Sequence, residues 1–270
     1  MRGEADGITV AVETKTLTTE VAGLSVHMLE GGSGNPAVVL HHSTGPIGWI
    51  PLHDELSRMF RVLVTDIPGF GQSDRPAWAR EPRDLAMLLN RTLDRLGLEG
   101  VTLIGAGFGG FVAAEMAAMT DARLRSLVLI GAAGIQPEQG EIMDQMVLKE
   151  EFYVQKSFRD EASFQEFYGE DETGELADLW DFSREMTARV TWRPYMFDRR
   201  LPHLLATVQT PTLLVWGSED QVVPVNTGEL YAKALPNAQL EIVPGAGHVV
   251  EYEEPETVTR LIAEHVGSHA

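Results

Sequence analysis

Apolar residues fall along this chain in two rhythms. Short blocks that are almost wholly apolar recur at Ala37–Leu40, Arg61–Val64, Val101–Ile104, Leu127–Ile130, Thr212–Trp216 and Leu240–Val243. Such blocks suit strands covered on both faces of a parallel sheet. Two earlier stretches, Ile8–Glu13 and Leu24–Leu29, are apolar at alternate positions, as expected of strands with one covered face. Between the blocks lie helical patterns at Pro51–Met59, Arg83–Leu96, Phe108–Met119, Asn226–Ala234 and Pro255–Val266. In the second of these, Leu85, Leu88, Leu89, Leu93 and Leu96 follow a period near 3.6. Strands alternating with helices predict an α/β fold built on a mostly parallel, doubly wound sheet of eight strands.

The rhythm breaks between about Ile135 and Pro202, where no buried parallel strand is evident and several helices are expected. Eleven of the chain's 20 aromatic residues lie there, among them Tyr153, Phe158, Phe164, Phe167, Tyr168 and Trp180. Most of these rings can form the segment's own small core, and three or four can face a pocket beneath it. The organisation that follows is a core of residues 1–134 and 203–270, with a helical cap inserted at 135–202.

Composition narrows the partners. The net charge of −19 argues against nucleic acid, whose affinity rests on Lys and Arg neutralising phosphates. Residues 138–185 hold 15 Asp and Glu against 4 Lys and Arg, which reads as a solvated acidic surface. No apolar run approaches a membrane span, and the polar first residues lack a signal peptide's apolar core; we therefore expect a cytoplasmic protein that does not engage membranes. The absence of cysteine excludes disulfides, thiolate metal sites and cysteine nucleophiles. His27, His41, His42 and His53 do not fall at a metal-ligand spacing on one element, so no metal is expected. Nothing offers a cofactor's phosphate loop, and the expected partner is a small-molecule substrate. Oligomeric state is not readable, and a homodimer is left open.

The most informative segment runs from Val101 to Met116: an apolar strand, the turn Gly105-Ala106-Gly107-Phe108-Gly109-Gly110, then a helix. A nucleophile elbow, G-x-S-x-G, is such a strand-to-helix turn, in which small residues let the two elements approach and the central residue adopts a strained backbone. Gly105, Gly107 and Gly109 keep that spacing with glycine in the centre. A dinucleotide-binding turn would belong to the first βα unit, whereas this one follows at least four strands.

Three further segments join it. Leu40-His41-His42-Ser43-Thr44-Gly45 follows the third strand, Val215-Trp216-Gly217-Ser218-Glu219-Asp220 ends a later one, and Gly245-Ala246-Gly247-His248 lies near the C-terminus. With Asp66-Ile67-Pro68-Gly69-Phe70-Gly71-Gln72-Ser73, these resemble in order and spacing the motifs of the α/β-hydrolase fold family. The resemblance spans almost the whole chain and points to its capped carbon–carbon-bond-hydrolase and esterase-like members. It implies that Asp220 is the triad acid and His248 the general base. It also implies that the backbone N–H groups of Ser43 and Phe108 are oxyanion donors, with Gly107 at the nucleophile's position. His42 stands in place of the family's usual glycine in the oxyanion loop, and that position implies that it too belongs to the oxyanion and substrate site. His41, Asp66 and Ser73 read as structural.

A glycine cannot form an acyl-enzyme. The resemblance therefore leaves three readings open: a His248–Asp220 dyad that activates water or abstracts a substrate proton, a serine hydrolase inactivated at its nucleophile, and a protein that only binds a ligand. In the first, replacing serine by glycine would free about one water's volume, roughly 30 Å³. Relatives with lyase or cofactor-free dioxygenase chemistry keep non-hydrolytic outcomes open. The substrate expected is small, largely apolar and carbonyl-containing.

Overall fold

The computed structural model describes residues 12–169 and 173–269. Strands β1 (Lys15–Val21), β2 (Leu24–Gly32) and β3 (Pro36–Leu40) lead into helix α1 (Pro51–Ser57) and strand β4 (Arg61–Thr65). Helix α2 (Pro82–Leu96), strand β5 (Val101–Ala106), helix α3 (Phe108–Met119) and strand β6 (Leu124–Ile130) follow. Four helices come next: α4 (Glu150–Ser157), α5 (Glu161–Tyr168), α6 (Glu175–Thr191) and α7 (Leu201–Leu205). The chain then returns through β7 (Thr212–Gly217), α8 (Val225–Ala234), β8 (Ala238–Val243), the short α9 (Val250–Glu253) and α10 (Pro255–Ser268).

The strands form one sheet in the order β1-β2-β4-β3-β5-β6-β7-β8. β2 runs antiparallel to β1 and β4, and every other pairing is parallel. Alternation within the buried strands divides the core. Val38, Leu40, Leu103, Leu127, Leu129, Leu214 and Trp216 face α2, α3 and α8. Ala37, Val39, Ile104, Val128, Ile130, Leu213 and Val215 face Leu52 and Leu56 of α1 and Val258 and Ile262 of α10. Helices on both faces explain why these strands read as continuous apolar blocks. Among the described residues, no helix is long and apolar enough to cross a membrane.

The sequence-based expectation differs at the N-terminal edge. The strand expected at Ile8–Glu13 lies largely outside the described residues, and Val12 and Glu13 within them belong to no strand. The eighth strand is β1, Lys-Thr-Leu-Thr-Thr-Glu-Val, mostly exposed. An antiparallel edge strand needs little apolar surface, so a search for apolar blocks passes over it. Between β6 and β7 the described residues contain helices and two isolated bridges, with no strand of the sheet.

β5 meets α3 across a single residue, Gly107. The approach is so close that a Cβ on Gly105 would collide with the backbone of Gly109. A Cβ on Gly109 would lie 2.5 Å from the carbonyl oxygens of Leu40 and His41. The Gly109 N–H donates to the His41 carbonyl at 3.0 Å, which ties the start of α3 to the loop after β3. Gly109→Ala should therefore lower stability by about 1–3 kcal/mol, as overpacking does, with a fall of several degrees in Tm. A melting temperature equal to that of the unaltered protein would contradict this packing.

Candidate active site

Gly107 has φ 52° and ψ −113°, a conformation that side chains with a Cβ rarely adopt. Its N–H donates to Ile130 at 2.9 Å, and its carbonyl accepts from Phe111 at 3.2 Å and Ala133 at 3.1 Å. The turn therefore keeps the geometry of an elbow with no side chain at its tip. A Cβ there would collide with His42 Nδ1 and stand 3.1 Å from His248 Nε2. Two imidazole nitrogens thus converge on the position a nucleophile would occupy.

His248 follows β8 in a loop tied to the end of α4: its N–H donates to the Ser157 carbonyl at 2.7 Å. Glu253 accepts from the N–H of Gly247 at 2.6 Å and of Arg159 at 2.7 Å, clamping the loop to the α4–α5 connection. Asp220, after β7, accepts the N–H groups of Val222 and Val223 on one oxygen, each at 2.8 Å. Its other oxygen lies 2.9 Å from His248 Nδ1. A fully charged carboxylate can only accept, so Nδ1 carries the proton and Nε2 presents a lone pair to Gly107. Burial works against charging this ring, but the negative charge and hydrogen bond of Asp220 and the more distant charge of Glu251 outweigh it. The net effect holds His248 above its ordinary pKa of 6.5.

His42 corrects one expectation. Its ring fills the space beside Gly107 that was anticipated to hold a water. Nε2 lies 2.6 Å from Glu251 on α9, and both side chains are buried. The His42 and His248 rings meet edge to face, with centroids 4.9 Å apart. Glu251 and Tyr252 carry no signal in the sequence that marks them for the site. Glu251 lies three residues beyond His248, but its partner is 209 positions away, and no local pattern announces that pairing.

His41 is structural, as anticipated. Nδ1 lies 2.7 Å from the His42 carbonyl, and Nε2 accepts the Ile67 N–H at 3.1 Å, so the ring is neutral and one tautomer is fixed. Burial lowers its pKa to about 4. Asp66 and Ser73 likewise serve their turn: Ser73 donates to the Asp66 carbonyl at 2.7 Å, and Asp66 accepts the Gln72 N–H at 2.9 Å.

Ser43 lies in the loop after β3 and Phe108 directly follows Gly107, and among the described residues neither amide N–H has a hydrogen-bond acceptor. Phe108 begins α3, whose N-terminal end favours negative charge. The Ser43 hydroxyl donates to Gln145 at 3.1 Å and lies 3.5 Å from the Tyr153 hydroxyl. Burial pushes the Tyr153 phenol up to about 12, so it stays protonated. A small cavity of about 10 Å³ adjoins these groups, bounded by His42, Ser43, Tyr153, Phe158, Tyr168 and His248 among others. That is room for about one water. Among the described residues, no group of three His, Cys, Asp or Glu side chains is placed to hold a metal ion.

Comparison with known proteins agrees with this architecture. Residues 36–255 match the family model described as alpha/beta hydrolase fold. A 2-hydroxy-6-oxononadienedioate/2-hydroxy-6-oxononatrienedioate hydrolase of Burkholderia vietnamiensis is 30% identical over 268 residues, covering 89% of this chain and 90% of the relative. A 2-hydroxymuconate semialdehyde hydrolase of a Pseudomonas strain is 29% identical, covering 90% of each chain. The solved structure of a membrane phospholipase A described as a bacterial virulence factor superposes with a TM-score of 0.81 at 24% identity. It covers 95% of this chain and 86% of that one, and bears on the fold alone. The chain belongs to the α/β-hydrolase fold family.

Gly107→Ser should destabilise the protein, because the new side chain meets His42 and the backbone is strained for any residue with a Cβ, at about 1–3 kcal/mol. Adding His42→Gly should recover much of that loss, since the two positions share one volume. Denaturation of the two single variants and the double variant measures this coupling; strict additivity would contradict it.

Proposed function

We propose that this chain is a hydrolase-type enzyme acting on a small, largely apolar carbonyl compound, without a covalent intermediate at Gly107. In this reading His248 is the general base, Asp220 holds its tautomer, and the amides of Ser43 and Phe108 hold the developing oxyanion. The observation that carries it is the aim of His248 Nε2 at the Gly107 Cβ position while Nδ1 is anchored on Asp220. With no side-chain nucleophile available, water must supply the attacking oxygen. His248 takes its proton as the oxygen adds to the carbonyl carbon, and charge gathers on the carbonyl oxygen beside the two amides. Collapse of that adduct expels the leaving group. No cofactor is required by this chemistry.

The relatives support the small carbonyl-containing part of this substrate class, since both are named for compounds with a hydroxyl and a carbonyl group, while the carboxylates in those names lend nothing to its apolar part. The filled space at Gly107 supports a glycine-adapted site over an inactivated serine hydrolase: simple loss of a serine side chain would leave a hole, whereas here His42 occupies it. We further propose that 135–202 acts as a cap. Thr187 of α6 donates to the Ser43 carbonyl at 3.2 Å, and Tyr153 of α4 reaches the Ser43 hydroxyl.

The test is a screen of the unaltered protein against aryl esters and 2-hydroxy-6-oxo dienoates. His248→Ala should reduce kcat/KM by at least about 10²-fold, the lower range of general-base catalysis. Asp220→Asn should cost nearly as much by releasing the wrong tautomer. A folded His248→Ala variant with unchanged rates would defeat the assignment. The active base is the neutral ring, so kcat/KM should rise with pH through a midpoint above 6.5. In Asp220→Asn, where burial acts without its main counterweight, that midpoint should fall.

A further inference from the structure

We propose that His42 and Glu251 form a second carboxylate-backed imidazole, and that with His248 and Asp220 they make one paired acid–base device sharing a single proton at Gly107. This deepens the function proposed above and rests on it for its catalytic part.

The two halves are alike. Asp220 lies at 2.9 Å from Nδ1 of His248, and Glu251 at 2.6 Å from Nε2 of His42. Each carboxylate accepts the N–H of its ring, so each ring turns its unprotonated nitrogen away from its acid. Those nitrogens, His248 Nε2 and His42 Nδ1, are the atoms that crowd the missing Cβ of Gly107. Two lone pairs aimed at one point, with no donor between them, are an unfavourable arrangement. One proton placed on either nitrogen turns repulsion into an attractive contact.

Charge favours the same state. Asp220 and Glu251 bring two buried negative charges to the site. Glu251 has one oxygen on His42, while its other has no hydrogen-bond partner among the described residues. A buried carboxylate so thinly supported is strongly favoured by a cation on its one partner. The other titratable groups facing the pair are the phenols of Tyr153, Tyr168 and Tyr252, all held protonated by burial. His41, next in sequence, is neutral. One proton leaves a single net negative charge and one lone pair at Gly107 to act as base; with none, two buried charges stand uncompensated, and with two, the charges cancel but adjacent imidazolium ions repel each other and no base remains.

The division of labour follows. The cycle begins with His42 protonated on Nδ1 and His248 neutral at Nε2. His248 accepts a proton from water while the water oxygen bonds to the substrate carbonyl carbon, whose π electrons move to the carbonyl oxygen. As that oxyanion re-forms the carbonyl, the bond to the leaving group breaks, and His42 gives its proton to the departing atom. The pair has received one proton and released one. Transfer from His248 to His42 across Gly107 restores the starting state, and the sum is addition of one water across the broken bond. A serine at 107 would separate the two rings, so glycine is the residue this device requires.

The experiment has two independent arms. In the first, the protein labelled with ¹⁵N in its eight histidines is titrated by imidazole NMR, with assignments from His42→Asn and His248→Asn. The expected outcome is a Nε2–H tautomer for His42 and a Nδ1–H tautomer for His248. Protonation of the pair should occur in two coupled steps rather than as two independent titrations. Glu251→Gln should lower the first step. Two independent single-step titrations, or the opposite His42 tautomer, would overturn the pairing. This arm needs no substrate, so its failure is distinct from failure of the proposed activity. In the second arm, pH–rate profiles are measured on a substrate found for the unaltered protein. A bell is expected, active where the pair holds one proton. His42→Asn and the more conservative Glu251→Gln should each lower kcat at least tenfold with KM within about twofold. His42→Asn should also erase the basic limb. A purely structural His42 would lower stability and leave both limbs in place, and that result would overturn the acid–base role.

Discussion

The site depends on the closeness with which β5, α3 and the loop after β3 meet at the elbow. Three backbones pass within contact distance there, and only glycine fits at positions 105 and 109. The turn at Gly107 is held from both sides by hydrogen bonds to Ile130, Phe111 and Ala133. That rigidity sets the place toward which two loops deliver their imidazoles, one from the chain after β3 and one from the chain after β8. A looser turn would leave the two nitrogens without a common point. Close packing imposes on Gly107 the strained backbone usual for a nucleophile.

Much of this was legible in the sequence where the signal was local. The apolar blocks locate the parallel strands, helix α3 lies at the limits its pattern predicts, and Asp220 and His248, marked by motifs a few residues long, lie within hydrogen-bonding reach of each other. Legibility failed where structure arises from contacts between distant segments. β1 carries Lys, Thr and Glu on an exposed edge and has no apolar signature. The seating of His42 beside Gly107, and its pairing with Glu251, join three regions of the chain. Reading Gly107 alone suggests a vacancy. Reading it with His42 shows that the imidazole occupies the space a side chain at 107 would need.

That seating bears on chemistry. A glycine at 107 cannot form an acyl-enzyme, and beside it Asp220 and His248 stand 2.9 Å apart. A buried arrangement of two imidazoles and two carboxylates is costly to assemble and is poorly explained by packing alone. It accords with a site in which proton movement, rather than acyl transfer, is the task of the side chains. The fold leaves that freedom open, since the sheet fixes positions and the loops decide what stands on them.

A hydrolase with glycine at 107 must react with no bond formed between protein and substrate. Rapid-quench kinetics, joined to intact-protein mass measurement during turnover of a slow substrate, test this directly. The account predicts product formation that is linear from the first turnover, with the protein at its unmodified mass throughout. A stoichiometric burst accompanied by a mass shift equal to the acyl fragment would contradict it.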